Sequence, residues 1–248
     1  MSFVKPNLYD IVKKQYGYKL SAFSGSISTL IFIQIIAIVF SLLGSQMMGA
    51  GNMFTNINVY YYSANLSIIF TIIWGIITSY TITTKPYANP DFLFVTNRFA
   101  SNLSNVFFLV TASIVGGVTA MLSGFLLKVI IFLTKGTDNL LIQPSTHTTL
   151  TEFAMGVFAT ILYVLLASSV GYFAGMLKEI SKLLFMLIVT TLIGGLLIGL
   201  NIGGGIAILF QSLFMESSFP LFVTKMIIVI ITIFIATFLL TNKMEVKS

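Results

Sequence analysis

The chain has 248 residues, of which 57% are apolar and only 8% charged, with a formal net charge of +6. A soluble domain carries about 25% charged residues, so this composition sets aside an ordinary soluble fold, and the absence of Cys removes disulfides and thiolate metal sites. The lysines are scattered at the ends of apolar runs and form no single patch, which argues against a nucleic-acid partner.

Apolar runs near the length needed to cross roughly 30 Å of hydrocarbon recur along the chain. They are apolar on all sides and do not alternate, which predicts spanning helices and not a barrel. The expected fold class is therefore all-α, a polytopic membrane protein forming a single transmembrane domain over residues 1–248.

Residues 5–20 predict a short amphipathic helix lying in the membrane interface, with Leu8, Ile11, Val12 and Tyr16 on one side and Asp10, Lys13 and Lys14 on the other. The first span is expected over residues 23–43. A loop over 45–63 follows, in which Tyr60, Tyr61 and Tyr62 can anchor at head-group level. The second span, 64–84, carries Trp74 and stops at Lys85-Pro86, where proline discourages a helix from continuing. A polar stretch over 86–103 leads to the third span, 105–134, which at 30 residues exceeds one crossing and must tilt or emerge at its far end. After a loop holding the only histidine, His147, come the fourth span (152–175), a tight link and the fifth span (183–199). A glycine-laden region, with an apolar piece over 206–215 that could be re-entrant, precedes the sixth span at 221–240. Seven spans is the alternative count.

Ten Lys and Arg fall at one set of ends (Lys5, Lys13, Lys14, Lys19, Lys85, Arg98, Lys178, Lys182, Lys243 and Lys247) and three at the other (Lys128, Lys135 and Lys225). The positive-inside bias then expects both termini and residues 85–103 in the cytoplasm.

Two stretches could meet a soluble partner there. In the first, Phe92, Val95, Phe99 and Leu103 recur at spacings of three and four, as expected of a short helix with one apolar stripe. Asp91 can cap it, and Thr96, Asn97 and Arg98 offer polar contacts beside the stripe. Such a helix between two spans could transmit force to both. The second is the link holding Lys178, Glu179 and Lys182, which serves equally well as a plain positive-inside anchor. Small residues thread the spans, among them Gly116, Gly117, Gly171 and Gly175, allowing close backbone approach within one chain or between two.

No Asp, Glu, Arg or His stands in the middle of an expected span, which disfavours proton-coupled transport and intramembrane hydrolysis. There is no Walker glycine loop either. No catalytic, cofactor or metal residues are expected in this chain, and driven transport would need an energy source in another polypeptide.

This pattern resembles the membrane-spanning subunit, or permease, of type-2 ABC exporters: an interfacial helix at 5–20, six spans, a coupling-type helix around 90–98 and a broken region before the last span. The resemblance implies that two ATP-binding subunits dock on Asp91, Phe92, Val95, Thr96, Asn97, Arg98 and Phe99, with Lys178 and Glu179 as a lesser contact. ATP and Mg would be held by those partners, and a second membrane subunit, identical or homologous, would complete the pore. The compact Phe- and Met-rich form is similar to bacterial exporters of antimicrobial or cytolytic peptides, including phenol-soluble modulins, which implies a bacterial cell membrane and a role in peptide resistance. A secondary carrier or channel acting alone, and a non-transporting immunity or scaffold protein, are the alternatives.

Overall fold

The computed structural model describes residues 8–43, 46–52, 55–61, 63, 65–84, 98–135, 149–183, 185–187, 190 and 218–243. Six long helices and one hairpin account for most of these: α1 (Leu8–Ala22), α2 (Ser24–Leu42), β1 (Gln46–Asn52), β2 (Thr55–Tyr61), α3 (Asn65–Ile82), α4 (Arg98–Lys135), α5 (Leu150–Ile180) and α6 (Phe219–Lys243).

Five of the helices, α2 to α6, are long and apolar enough to cross a membrane. They coincide with the first, second, third, fourth and sixth expected spans. The fifth, 183–199, is described only in short helical pieces at 183, 185–187 and 190, and the rest of it lies outside the described residues, as do the glycine region after it and His147. Where a loop was expected over 45–63, β1 and β2 pair antiparallel, with Gln46 opposite Tyr61, Gly49 opposite Asn58 and Asn52 opposite Thr55.

The other change concerns α4. The sequence suggests a short helix to residue 103 and a separate span from 105, yet Arg98–Lys135 is one helix of 38 residues. No Gly or Pro occurs from Arg98 to Val115, so nothing in that segment breaks the hydrogen-bond ladder. At 1.5 Å per residue such a helix is about 57 Å long, well beyond the hydrocarbon thickness.

Local signals explain the start of α5. Thr149 and Glu152 form a reciprocal capping box: the Thr149 backbone N–H donates to Glu152 Oε2 at 3.0 Å, and the Glu152 N–H donates to Thr149 Oγ1 at 3.3 Å. Glu152 is thus a helix cap at the end of a span.

The chain divides into two compact units. The first comprises Met1–Ala22, Ile76–Thr111 and Leu165–Ser248; the second comprises Phe23–Gly75 and Ala112–Val164. Both bury polar side chains beside apolar ones such as Leu30, Ala37, Ile38, Trp74 and Ile82. On α3, Ser67, Thr71, Thr78 and Ser79 are buried, as is Thr83 just past its end, while Ile69, Ile73, Ile76 and Ile77 are exposed. On α2, Gln34 and Ser41 are buried while Ile27, Ile31, Ile35 and Val39 point outward. Lipid is as apolar as Leu, so apolar side chains gain nothing by turning inward, whereas hydroxyls and amides need partners that lipid does not offer. Phe32, Phe40, Phe107, Phe125, Phe132 and Phe158 are all exposed, which assigns much of the aromatic stock to the outer face of the helices.

Candidate functional site

The first unit holds a buried lysine. On α1 the fully packed residues are Val12, Gln15 and Lys19, spaced by three and four. Of the expected apolar side Val12 is buried and Ile11 and Tyr16 are half-buried; Asp10, Lys13 and Lys14 are exposed as expected, and Gln15 and Lys19 are the unexpected members. Leu8 is exposed and Lys19 only 2% exposed. Gln15 and Lys19 join the packed side because the surface α1 meets there is polar. The buried residues at the start of α4 are Ala100, Asn102, Ser104 and Asn105, while Phe99 is 45% exposed.

The Lys19 ammonium donates to three oxygens of α4: Asn105 Oδ1 at 2.5 Å, Ser104 Oγ at 2.8 Å and the Ser101 carbonyl at 3.3 Å. An ammonium has three protons and no acceptor capacity, so this arrangement occupies each of them. With Oδ1 engaged, the Asn105 amide turns its Nδ2 to the Tyr172 hydroxyl of α5 at 3.1 Å. That hydroxyl in turn donates to Asn102 Oδ1 at 2.8 Å. Tyr172 is fully buried, and its ring lies 6.4 Å from that of Phe234 on α6. A second contact from α1 sits one turn before Lys19, where Tyr16 meets the Phe107 ring edge-on at 6.4 Å between centroids.

Two further contacts join α5 to α3 within this unit. Gly171 and Gly175 sit against α3. A Cβ on Gly171 would stand 2.5 Å from the Ile76 carbonyl and 3.0 Å from its Cα, and one on Gly175 would stand 3.0 Å from Thr83 Cβ. The small-residue pattern of this helix is therefore used inside the chain. Near the end of α5, Lys178 donates to the Tyr80 hydroxyl and lies over the Tyr80 ring, 4.9 Å from its centroid.

The second unit has a polar layer without charge. Gln34 Nε2 of α2 donates to Thr119 Oγ1 at 3.0 Å, Thr71 Oγ1 at 3.1 Å and, more weakly, the Gly116 carbonyl at 3.5 Å. Trp74 Nε1 reaches the Ser26 carbonyl and Thr29 Oγ1, both at 3.2 Å. The helix crossing here is at Gly117, where a Cβ would meet the Ile161 backbone nitrogen at 2.9 Å.

The residues expected to dock a partner are only partly placed. Asp91, Phe92, Val95, Thr96 and Asn97 lie outside the described residues, and Arg98 is described by its backbone alone, as the first residue of α4. Phe99, in the first turn of α4, packs edge-on to Phe238 of α6 with centroids 5.8 Å apart. Lys178 is tied to Tyr80, and Glu179 is half-buried beside it in sequence. Among the described residues no three His, Cys, Asp or Glu gather as a metal site.

The residues that sequence reasoning missed are Lys19, Asn102, Asn105, Tyr172 and Gln34. A signal was present for two of them: Gln34 is a lone amide within a span, and Lys19 continues the helical spacing of Val12 and Gln15, seven residues after the one and four after the other. Comparison with protein-family models, with curated proteins and with solved structures gave no match to this chain.

Proposed function

We propose that this chain is the membrane-spanning subunit of an ATP-driven exporter in a bacterial cell membrane, with ATP and Mg bound by a separate cytoplasmic subunit that docks on residues 86–103. The observation that supports this reading most is the unbroken start of α4. The chain leaving the docking stretch enters a helix with no Gly or Pro before Gly116, so a displacement applied at Arg98 is carried into the helix and not absorbed by a hinge. The chain itself carries no nucleotide-binding loop, which assigns hydrolysis to the partner. Two ATPase copies and a second membrane subunit, identical or homologous, complete the assembly, with both termini in the cytoplasm. Amphipathic antimicrobial or cytolytic peptides are the proposed cargo class, on the resemblance to compact peptide exporters.

Purification in mild detergent, with the native partners co-expressed, tests this directly. An ATP-binding protein is expected to co-purify, and Phe99→Asp is expected to suppress cargo-stimulated ATP hydrolysis while Phe99→Leu retains it. Transport by the purified chain alone in liposomes under an ion gradient would make it a secondary carrier instead.

A further inference from the structure

We propose that α1, the first turns of α4 and the last turns of α5 move as one rigid body, locked through Lys19, Asn105 and Tyr172. This rests on the reading above, in which the load arrives next to Arg98; it adds that α1 travels with α4 and is not an independent paddle on the membrane surface.

The geometry points to a lock because the Lys19 ammonium, the Asn105 amide and the Tyr172 hydroxyl each donate to a defined partner in one continuous chain. Lys19 fills its three protons with Ser101 O, Ser104 Oγ and Asn105 Oδ1. That choice orients the Asn105 amide, which orients Tyr172, which donates to Asn102. Rotating one member breaks the bond on either side of it, and in a low-dielectric interior such a chain is polarised along its length. Slipping α1 by one residue would turn Lys19 through about 100° and take its ammonium away from all three oxygens. Buried polar atoms left without partners are costly, so intermediate positions of α1 are disfavoured. Pivoting is opposed as well, because the Tyr16–Phe107 contact gives α1 a second point of attachment one turn away. Tyr172 carries the same lock to α5, whose Gly171 lies against the α3 backbone at Ile76 and whose Gly175 lies against the Thr83 side chain.

The sequence contains no cysteine, so engineered thiols report cleanly. In the full complex with its ATPase partner, Tyr16→Cys combined with Phe107→Cys is bridged by a short bis-methanethiosulfonate, which joins the two thiols through reducible disulfides. Transport is compared before bridging, after bridging and after reduction. The proposal expects the bridged complex to keep at least half of its unbridged rate; a larger loss that reduction restores means that α1 must move against α4, and overturns it. A second measurement needs no partner: thermal unfolding of the purified chain with Lys19→Met, Tyr172→Phe and both together. The double variant is expected to lose no more in Tm than the worse single variant, because one network is broken either way. Simple addition of the two losses overturns the lock while leaving the ATPase reading standing. Failure to find an ATPase overturns that reading while the unfolding comparison still decides the lock.

Discussion

The two units solve the same problem with different means. In the second, a neutral amide, Gln34, joins three helices through hydroxyls and a carbonyl. In the first, a buried ammonium joins α1 to α4, and its partner Asn105 extends the link to α5. A charge is costly in hydrocarbon, and the cost falls toward the interface, where water and head groups are near. Helix α1, which is not among the five helices long and apolar enough to cross a membrane, carries the lysine of the charged joint. The comparison teaches that strength and placement go together. A neutral layer can sit within a span but contributes modestly, since interhelical hydrogen bonds in membranes average about 0.6 kcal/mol. A charge-assisted cluster contributes more, about 1.5 to 3 kcal/mol for a hydrogen bond to a charged group.

The largest effects should come from the glycines on which both units depend. Gly117→Leu meets the Ile161 backbone nitrogen, and Gly171→Leu meets the Ile76 carbonyl; backbone cannot swing aside as a side chain can. Each is expected to cost about 3 kcal/mol or more, seen as loss of monodisperse protein in detergent. If either variant unfolds like the parent, that unit does not rely on its crossing.

Lys19→Met comes next. It keeps the length of the side chain but leaves Asn105 Oδ1 and Ser104 Oγ without their donor, an expected loss of about 2 kcal/mol. Unfolding by SDS titration would measure it. Gln34→Leu should cost least, about 0.6 kcal/mol, in the same assay. A larger loss for Gln34→Leu than for Lys19→Met would reverse the ranking of the two units and remove the reason for regarding the charged joint as the stronger.

How much could be read beforehand follows from what each signal measures. The expected first span, 23–43, and the observed Ser24–Leu42 nearly coincide, as do 64–84 and Asn65–Ile82. Summed hydropathy needs no knowledge of neighbours, so these limits were legible. The facing of helices was only partly so. The apolar stripe on α1 marks the side that packs through Val12, but not that Gln15 and Lys19 are buried with it. That choice belongs to the polar residues of α4 opposite, which no window over residues 5–20 contains. The hairpin was hidden for a similar reason: Gln46–Asn52 is rich in Gly and Met and becomes a strand only through its pairing with Thr55–Tyr61.

By itself, then, the order of residues determined a set of helices long and apolar enough to cross a membrane, because the transfer of each apolar run into hydrocarbon is a sum over its own side chains. Which polar groups meet, that Lys19 goes inward, and that the small face of α5 serves contacts inside the chain were decided only when the helices packed. Hydrogen bonds are short and directional, and their partners come from segments far apart in sequence, as 86 positions separate Lys19 from Asn105.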